Sequence, residues 1–128
     1  MQPREQTIGW IESHIPDIIV DPDTSEFNIK CRINGGDLKI LYQVEVIEEW
    51  EDEWPENWKS IYIPTESKKL LTEWKRFYKD DLYTFVIFRK DLKKAWHIAA
   101  DIINDSKISG KNYLIDMRDA YQVDMTND

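Results

Sequence analysis

A single cysteine, Cys31, rules out an internal disulfide and any metal centre built from several thiolates. Its place among alternating apolar residues predicts a buried thiol and a reducing compartment. Only two histidines occur, His14 and His97, and no His-x-x-x-His pair exists to hold zinc. Four glycines leave neither a phosphate-cradling Gly-rich loop nor a nucleophile elbow around a serine. No apolar run approaches the ~18 residues of a membrane-spanning helix, and MQPREQTIGW at the start lacks an apolar signal core. A cytoplasmic protein with no membrane partner is expected. Basic residues are also scarce, 17 against 25 acids for a net charge of −8, which argues against duplex binding through a generally basic surface and leaves a local basic patch to hold phosphates.

What is present argues for a folded chain. Hydrophobic residues make up 41%, including six Trp, six Tyr and four Phe, and 128 residues suit one domain spanning 1–128. The strongest local signal is Phe27 to Glu48. Asn34-Gly35-Gly36 tolerates the positive φ of a tight hairpin turn and is flanked by strand-like runs. On the first run Phe27, Ile29, Cys31 and Ile33 alternate with Asn28, Lys30 and Arg32; on the second, Ile40, Tyr42, Val44 and Val46 share one face, and Leu41, Gln43, Glu45 and Ile47 the other. A glutamate is thus held between apolar neighbours near a strand's end. Two explanations stand side by side: an ordinary carboxylate, on a solvated edge or in a cross-strand ion pair with Lys30 or Arg32, or a carboxylate fixed on a rigid strand to bind a hard cation.

Along the rest of the chain, residues 4 to 15 predict a short helix with Ile8, Ile11 and Ile15 at helical spacing, ended by Pro16. On it Glu12 is either a solvated side chain or a metal-site acid, and His14 is placed to meet the last carbonyls of the helix. Ile18-Ile19-Val20 predicts a brief strand, and Asp21 to Ser25 a turn. Ser60 to Pro64 predicts a short extended piece. A helix is expected over 66–79, with Leu70, Leu71, Trp74, Phe77 and Tyr78 inward and the lysines mostly off that face. Thr84 to Phe88 has the unbroken apolar character of a central strand buried on both faces. Residues 95–100 fit either a helix or a strand by spacing. His97 is expected at a surface or sheet edge, Ser109 to Asn112 in a turn, and Tyr113 to Val123 in a last extended arm.

Tyr42-Gln43-Val44-Glu45-Val46-Ile47, Trp58 to Pro64, the Lys-rich helix and Tyr83 to Phe88 together resemble the core of the PD-(D/E)XK nuclease superfamily, over roughly residues 5 to 100. The resemblance implies an α/β fold, a single domain with a central mixed β-sheet flanked by helices in a restriction-endonuclease-like core. It also implies a strand at 95–100. In that family a helix carries an acid, a strand begins with Asp, and the next strand ends in Glu-x-Lys. Glu45 matches the last motif's glutamate, Glu26 stands near the aspartate's place, and Glu12 would be the helix acid. Pro16-Asp17 spells the family's dipeptide, but Asp17 lies too close to the first helix and ranks below Glu26. Ile47 stands where the lysine belongs, so Lys59 or Lys68 would have to supply it.

Two functions follow from this resemblance. The first is a metal-dependent nuclease or nuclease-like DNA-processing protein, a hydrolase in which Glu26, Glu45 and Glu12 bind Mg²⁺ or Mn²⁺, Gln43 supports the site and the partner is nucleic acid, DNA foremost. The second is a catalytically inactive descendant acting as a protein-interaction or inhibitory module. Its surface would be the segment from Glu48 to Trp58, which packs six acids and three tryptophans, Trp50, Trp54 and Trp58, into eleven residues. Exposed tryptophans are typical binding anchors. A homodimer is compatible with either.

Overall fold

The computed structural model describes residues 2–22, 29–36, 38–46, 60–64, 68–77, 81–89, 91–110 and 112–126. Expectations placed on Glu26, Lys59, Trp50, Trp54 and Trp58 lie outside these residues. The elements run α1 (Pro3–His14), β1 (Ile18–Val20), β2 (Ile29–Ile33), β3 (Lys39–Val46), β4 (Ser60–Pro64), α2 (Lys68–Phe77), β5 (Leu82–Phe88), β6 (Lys94–Ala99), α3 (Ala100–Asp105), β7 (Lys107–Ser109), β8 (Asn112–Asp116) and β9 (Tyr121–Asp124).

Strand β5 sits where its composition sends it, in the interior of a six-stranded mixed sheet of order β1-β2-β3-β5-β6-β9. It pairs parallel with β3 and antiparallel with β6. Phe85, Val86, Ile87 and Phe88 are all buried, and their alternation serves two cores. Phe85 and Ile87 join Leu41, Leu71, Trp74, Trp96 and Ile103 on the side of α2 and α3. Val86 and Phe88 join Ile11, Ile29, Cys31, Tyr42 and Met125 on the side of α1. Each such side chain taken from water contributes about 1.5–3 kcal/mol, so β5 holds the two faces together. The fold is therefore the mixed sheet flanked by helices that the resemblance implied.

The hairpin forms as its alternation predicts. Cα partners Ile29↔Tyr42, Lys30↔Leu41, Cys31↔Ile40 and Arg32↔Lys39 fix the register, and Gly35 takes the left-handed φ of 85° that the turn requires. Helix α1 ends at His14, whose Nδ1–H donates to Trp10 O at 2.8 Å, and Asp17 adopts φ 60° in the turn before β1. Residues 94–99 form a strand, β6, as the resemblance implied. There Trp96 turns toward the α2 side and His97 toward α1.

Three features depart from the sequence expectations. A second, three-stranded sheet, β4-β8-β7, packs Tyr113 and Ile115 into the α2-side core. The expected extended arm from Tyr113 to Val123 is broken between sheets by a 3₁₀ turn at Met117–Asp119, where the Asp116 carboxylate accepts from the Arg118 N–H at 2.9 Å and bends the chain. His97 is not at an open edge: its ring lies under Trp10, edge-on at 5.0 Å between centroids, with Nε2 3.4 Å from Met125 Sδ. Burial holds its pKa down at about 4, so the ring is neutral.

Candidate carboxylate site at the end of strand β3

Alternation along β3 puts Val44 and Val46 against the α1-side core, which turns Gln43 and Glu45 to the face that carries Leu41 and the α2-side core. Both side chains are half-buried. Gln43 Nε2 donates to Glu45 Oε1 at 3.3 Å, so the amide steadies the carboxylate two residues on. On the neighbouring strand β5 their Cα partners are Phe85 and Ile87, both buried and apolar. Glu45 thus stands at the carboxyl end of a parallel strand pair, the end of an open α/β sheet where ligands are ordinarily bound.

The register removes one ordinary partner for Glu45. Lys30 lies opposite Leu41 and Arg32 opposite Lys39, four and six residues from Glu45 along β3. A residue in a strand advances ~3.3 Å, which sets those positions about 13 and 20 Å away. The cross-strand ion pair that would have made Glu45 ordinary is therefore not formed with either. Instead its charge is felt by Tyr83, whose phenol is raised by burial and further by Glu45. Tyr83 carried no assigned role from sequence. Only the β3/β5 register, which sets it beside Leu41 on the same face, brings it into the site's field.

The other candidates divide by face. Glu12, on α1, lies across the sheet from Glu45. Its exposed carboxylate is near Cys31, whose thiol is pushed up to about 11 by burial and then by the Glu12 charge. The structure does not bring Glu12 and Glu45 together. Lys68 opens α2, the helix whose Leu71 and Trp74 pack on Glu45's side of the sheet. Trp74 Nε1 donates to Asp81 O at 3.0 Å, fixing the last turns of α2 at the start of β5. The first turn lies at the opposite end of the helix from that anchor. Asp17 serves the turn before β1, where its carbonyl accepts from Asn34 N–H at 2.8 Å.

As a donor set, Glu45 and Gln43 offer a carboxylate and an amide oxygen, the ligand type that suits a hard divalent cation. Among the described residues no group of three His, Cys, Asp or Glu side chains converges on one point. Among the described residues no helix is long and apolar enough to cross a membrane.

No family model matches the chain. No curated protein matches it either. Among solved structures it is similar to the 1.6 Å structure of Archaeoglobus fulgidus Hjc, a Holliday junction resolvase from an archaeal hyperthermophile, with a TM-score of 0.48 and 14% identity over 80% of this chain and 79% of that chain.

Proposed function

We propose that this protein is a nuclease-like DNA-processing protein whose reactive centre is built on Glu45. The observation that carries the proposal is the register of β2 on β3, which removes Lys30 and Arg32 as ion-pair partners and leaves a half-buried carboxylate, steadied by Gln43, on the rigid carboxyl end of β3. Holding a charge there costs desolvation, and a bound cation offsets that cost. Glu45 with Glu26 would hold Mg²⁺ or Mn²⁺. Such an ion, when bound, polarises a scissile phosphate and lowers the pKa of an attacking water. Gln43 orients the Glu45 carboxylate. Lys68 or Lys59 takes the motif lysine's part, placing the water or offsetting charge on the phosphate.

The test pairs wild type with Glu45→Gln, which keeps the shape and removes the charge. Melting is followed with and without Mg²⁺ and Mn²⁺, and cleavage is followed on labelled single-stranded, double-stranded and branched DNA and on RNA. The expected result is a metal-dependent rise in wild-type melting temperature that the variant lacks, with cleavage lost in the variant. Melting insensitive to either metal, together with no cleavage of any substrate, overturns the proposal.

A second reading, a catalytically inactive descendant that binds a protein partner or another copy of this chain, is favoured by Ile47 in the lysine's place and by the net charge of −8. In that case Trp54→Ala weakens partner capture, as do changes at Trp50 and Trp58, and sedimentation reports whether the partner is a second copy.

A further inference from the structure

A cation stands one strand away from Glu45 on the same face of the sheet. Glu45 and Ile87 are Cα partners and Val46 and Phe88 form the next pair, so Arg89 lies two residues beyond Glu45's own partner. The ladder to β6 still holds there, since Arg89 N–H donates to Lys94 O at 3.0 Å. Ile87 faces the α2 side and Phe88 the α1 side, and alternation returns Arg89 to the face of Glu45. Strands ~4.8 Å apart with a rise of ~3.3 Å per residue set the two Cα atoms roughly 8 Å apart. Two long side chains can meet across that distance.

They do not meet, because Arg89 is held elsewhere. Its Nε donates to Asp91 Oδ1 at 3.2 Å and its Nη2 to Asp91 Oδ2, a side-on fork in which both side chains are largely covered. Lys93 N–H donates to Asp91 Oδ1 at 2.9 Å and fixes the carboxylate in its turn. The loop that carries the pair is itself anchored. Leu92 N–H donates to Arg89 O at 3.0 Å, and Leu92 takes a left-handed φ of 61°, which a leucine adopts at a cost. Its packing on the α1-side core and the Gln6 Nε2 bond to its carbonyl hold it there. Arg89 is not a spare charge, since it has a further interaction besides Asp91; what marks it is its place. Opposite charges one strand apart on one face ordinarily pair, yet here the guanidinium's ion pair is with Asp91 and the carboxylate's bond is with Gln43.

We propose that Arg89 is the phosphate-binding residue of the Glu45 site, with Asp91 as the positioning residue that keeps its guanidinium from closing on Glu45. The inference rests on the nuclease-like reading for the identity of the phosphodiester. A guanidinium fork matches the non-bridging oxygens of a phosphate and holds them by charge-assisted hydrogen bonds. Arginine stays protonated at any working pH and cannot take a proton from water. Arg89 therefore holds the phosphate, and placing the attacking water remains the part of Lys68 or Lys59.

The experiment measures anisotropy of labelled single-stranded, duplex and branched DNA over a range of salt, in EDTA so that cleavage and binding stay separate. Wild type is compared with Arg89→Gln, Arg89→Lys, Asp91→Asn and Arg118→Gln. The last removes the same charge from the same kind of fork, Arg118 on Asp116, at an exposed 3₁₀ turn. Expected for Arg89→Gln are about a tenfold or greater loss of affinity and a salt slope shallower by about 0.7–0.9. Arg89→Lys and Asp91→Asn keep the charge and the slope but bind more weakly, and Arg118→Gln binds as wild type does. Melting in Mn²⁺ adds a readout that a merely structural turn would not move. In Asp91→Asn the released guanidinium competes with the metal for Glu45, so the Mn²⁺-induced rise shrinks, and the double variant Arg89→Gln/Asp91→Asn restores it. DNA binding by Arg89→Gln equal to that of wild type, with melting lowered alike in Arg89→Gln and Asp91→Asn, identifies a turn clamp and overturns the inference while leaving Glu45 as the reactive centre. Absence of DNA binding by wild type at every salt overturns it as well. The metal response of Glu45 in wild type decides separately whether the nuclease-like reading survives.

Discussion

At His97 the surroundings make a protonation state into a condition for folding. Burial beneath Trp10 lowers its pKa from 6.5 to about 4. An unfolded chain therefore binds a proton near pH 6.5 that the folded chain refuses until about pH 4. The stability held by the neutral ring is fully present above pH 6.5 and is lost as pH falls from there toward 4, by on the order of 2–3 kcal/mol. Urea unfolding at pH 7 and at pH 4.5 measures it, and His97→Leu should flatten that part of the profile. The sequence hinted at an open edge for His97 because strand alternation says which face a side chain takes but not what covers that face. The same limit applied to Glu12, whose helical position was legible and whose separation from Glu45 was not. The strand and face of Glu45 were legible, since a lone acid in an otherwise apolar alternation is a purely local pattern. What removed Lys30 and Arg32 as its partners was a register, which no single strand records.

Among the elements, α1 is tied to two distant stretches of the chain by one side-chain amide. Gln6 Nε2 donates to Leu92 O and, at 3.0 Å, to Met125 O, linking α1 to the turn before β6 and to the chain after β9. Gln6→Ala should cost about 1–3 kcal/mol through the two carbonyls left unmet. Amide exchange should rise first in residues 121–126, and unchanged protection there would show that β9 is held by its pairing with β6 alone. The hairpin β2–β3 was readable because its alternation and its Asn-Gly-Gly turn are adjacent in the chain. The second sheet was not, for β4 pairs with β8 at Ile61↔Ile115 and Ile63↔Tyr113. Strands so short and so distant in sequence leave no local periodicity that names the partner. Helix α3, six residues without a side-chain cap, is equally faint.

For the whole molecule, the two cores share β5, so neither face is expected to melt alone. Phe85→Ala, on the α2 side, should cost about 3–5 kcal/mol. It should lower protection of α1-side amides such as those of Cys31 and Tyr42 as much as that of its own neighbours. Hydrogen exchange resolved by residue checks this, and loss confined to the α2 side would mean two independent cores. The molecule's order of assembly follows from the contact that Gln6 makes with Met125. Helix α1 meets that partner only after the 119 residues that separate Gln6 from Met125 have been made. At about 5–20 residues per second the apolar stripe of α1 waits on the order of ten seconds after it leaves the ribosome. During that interval Ile8 and Ile11 lack the cover that the α1-side core gives them in the finished fold.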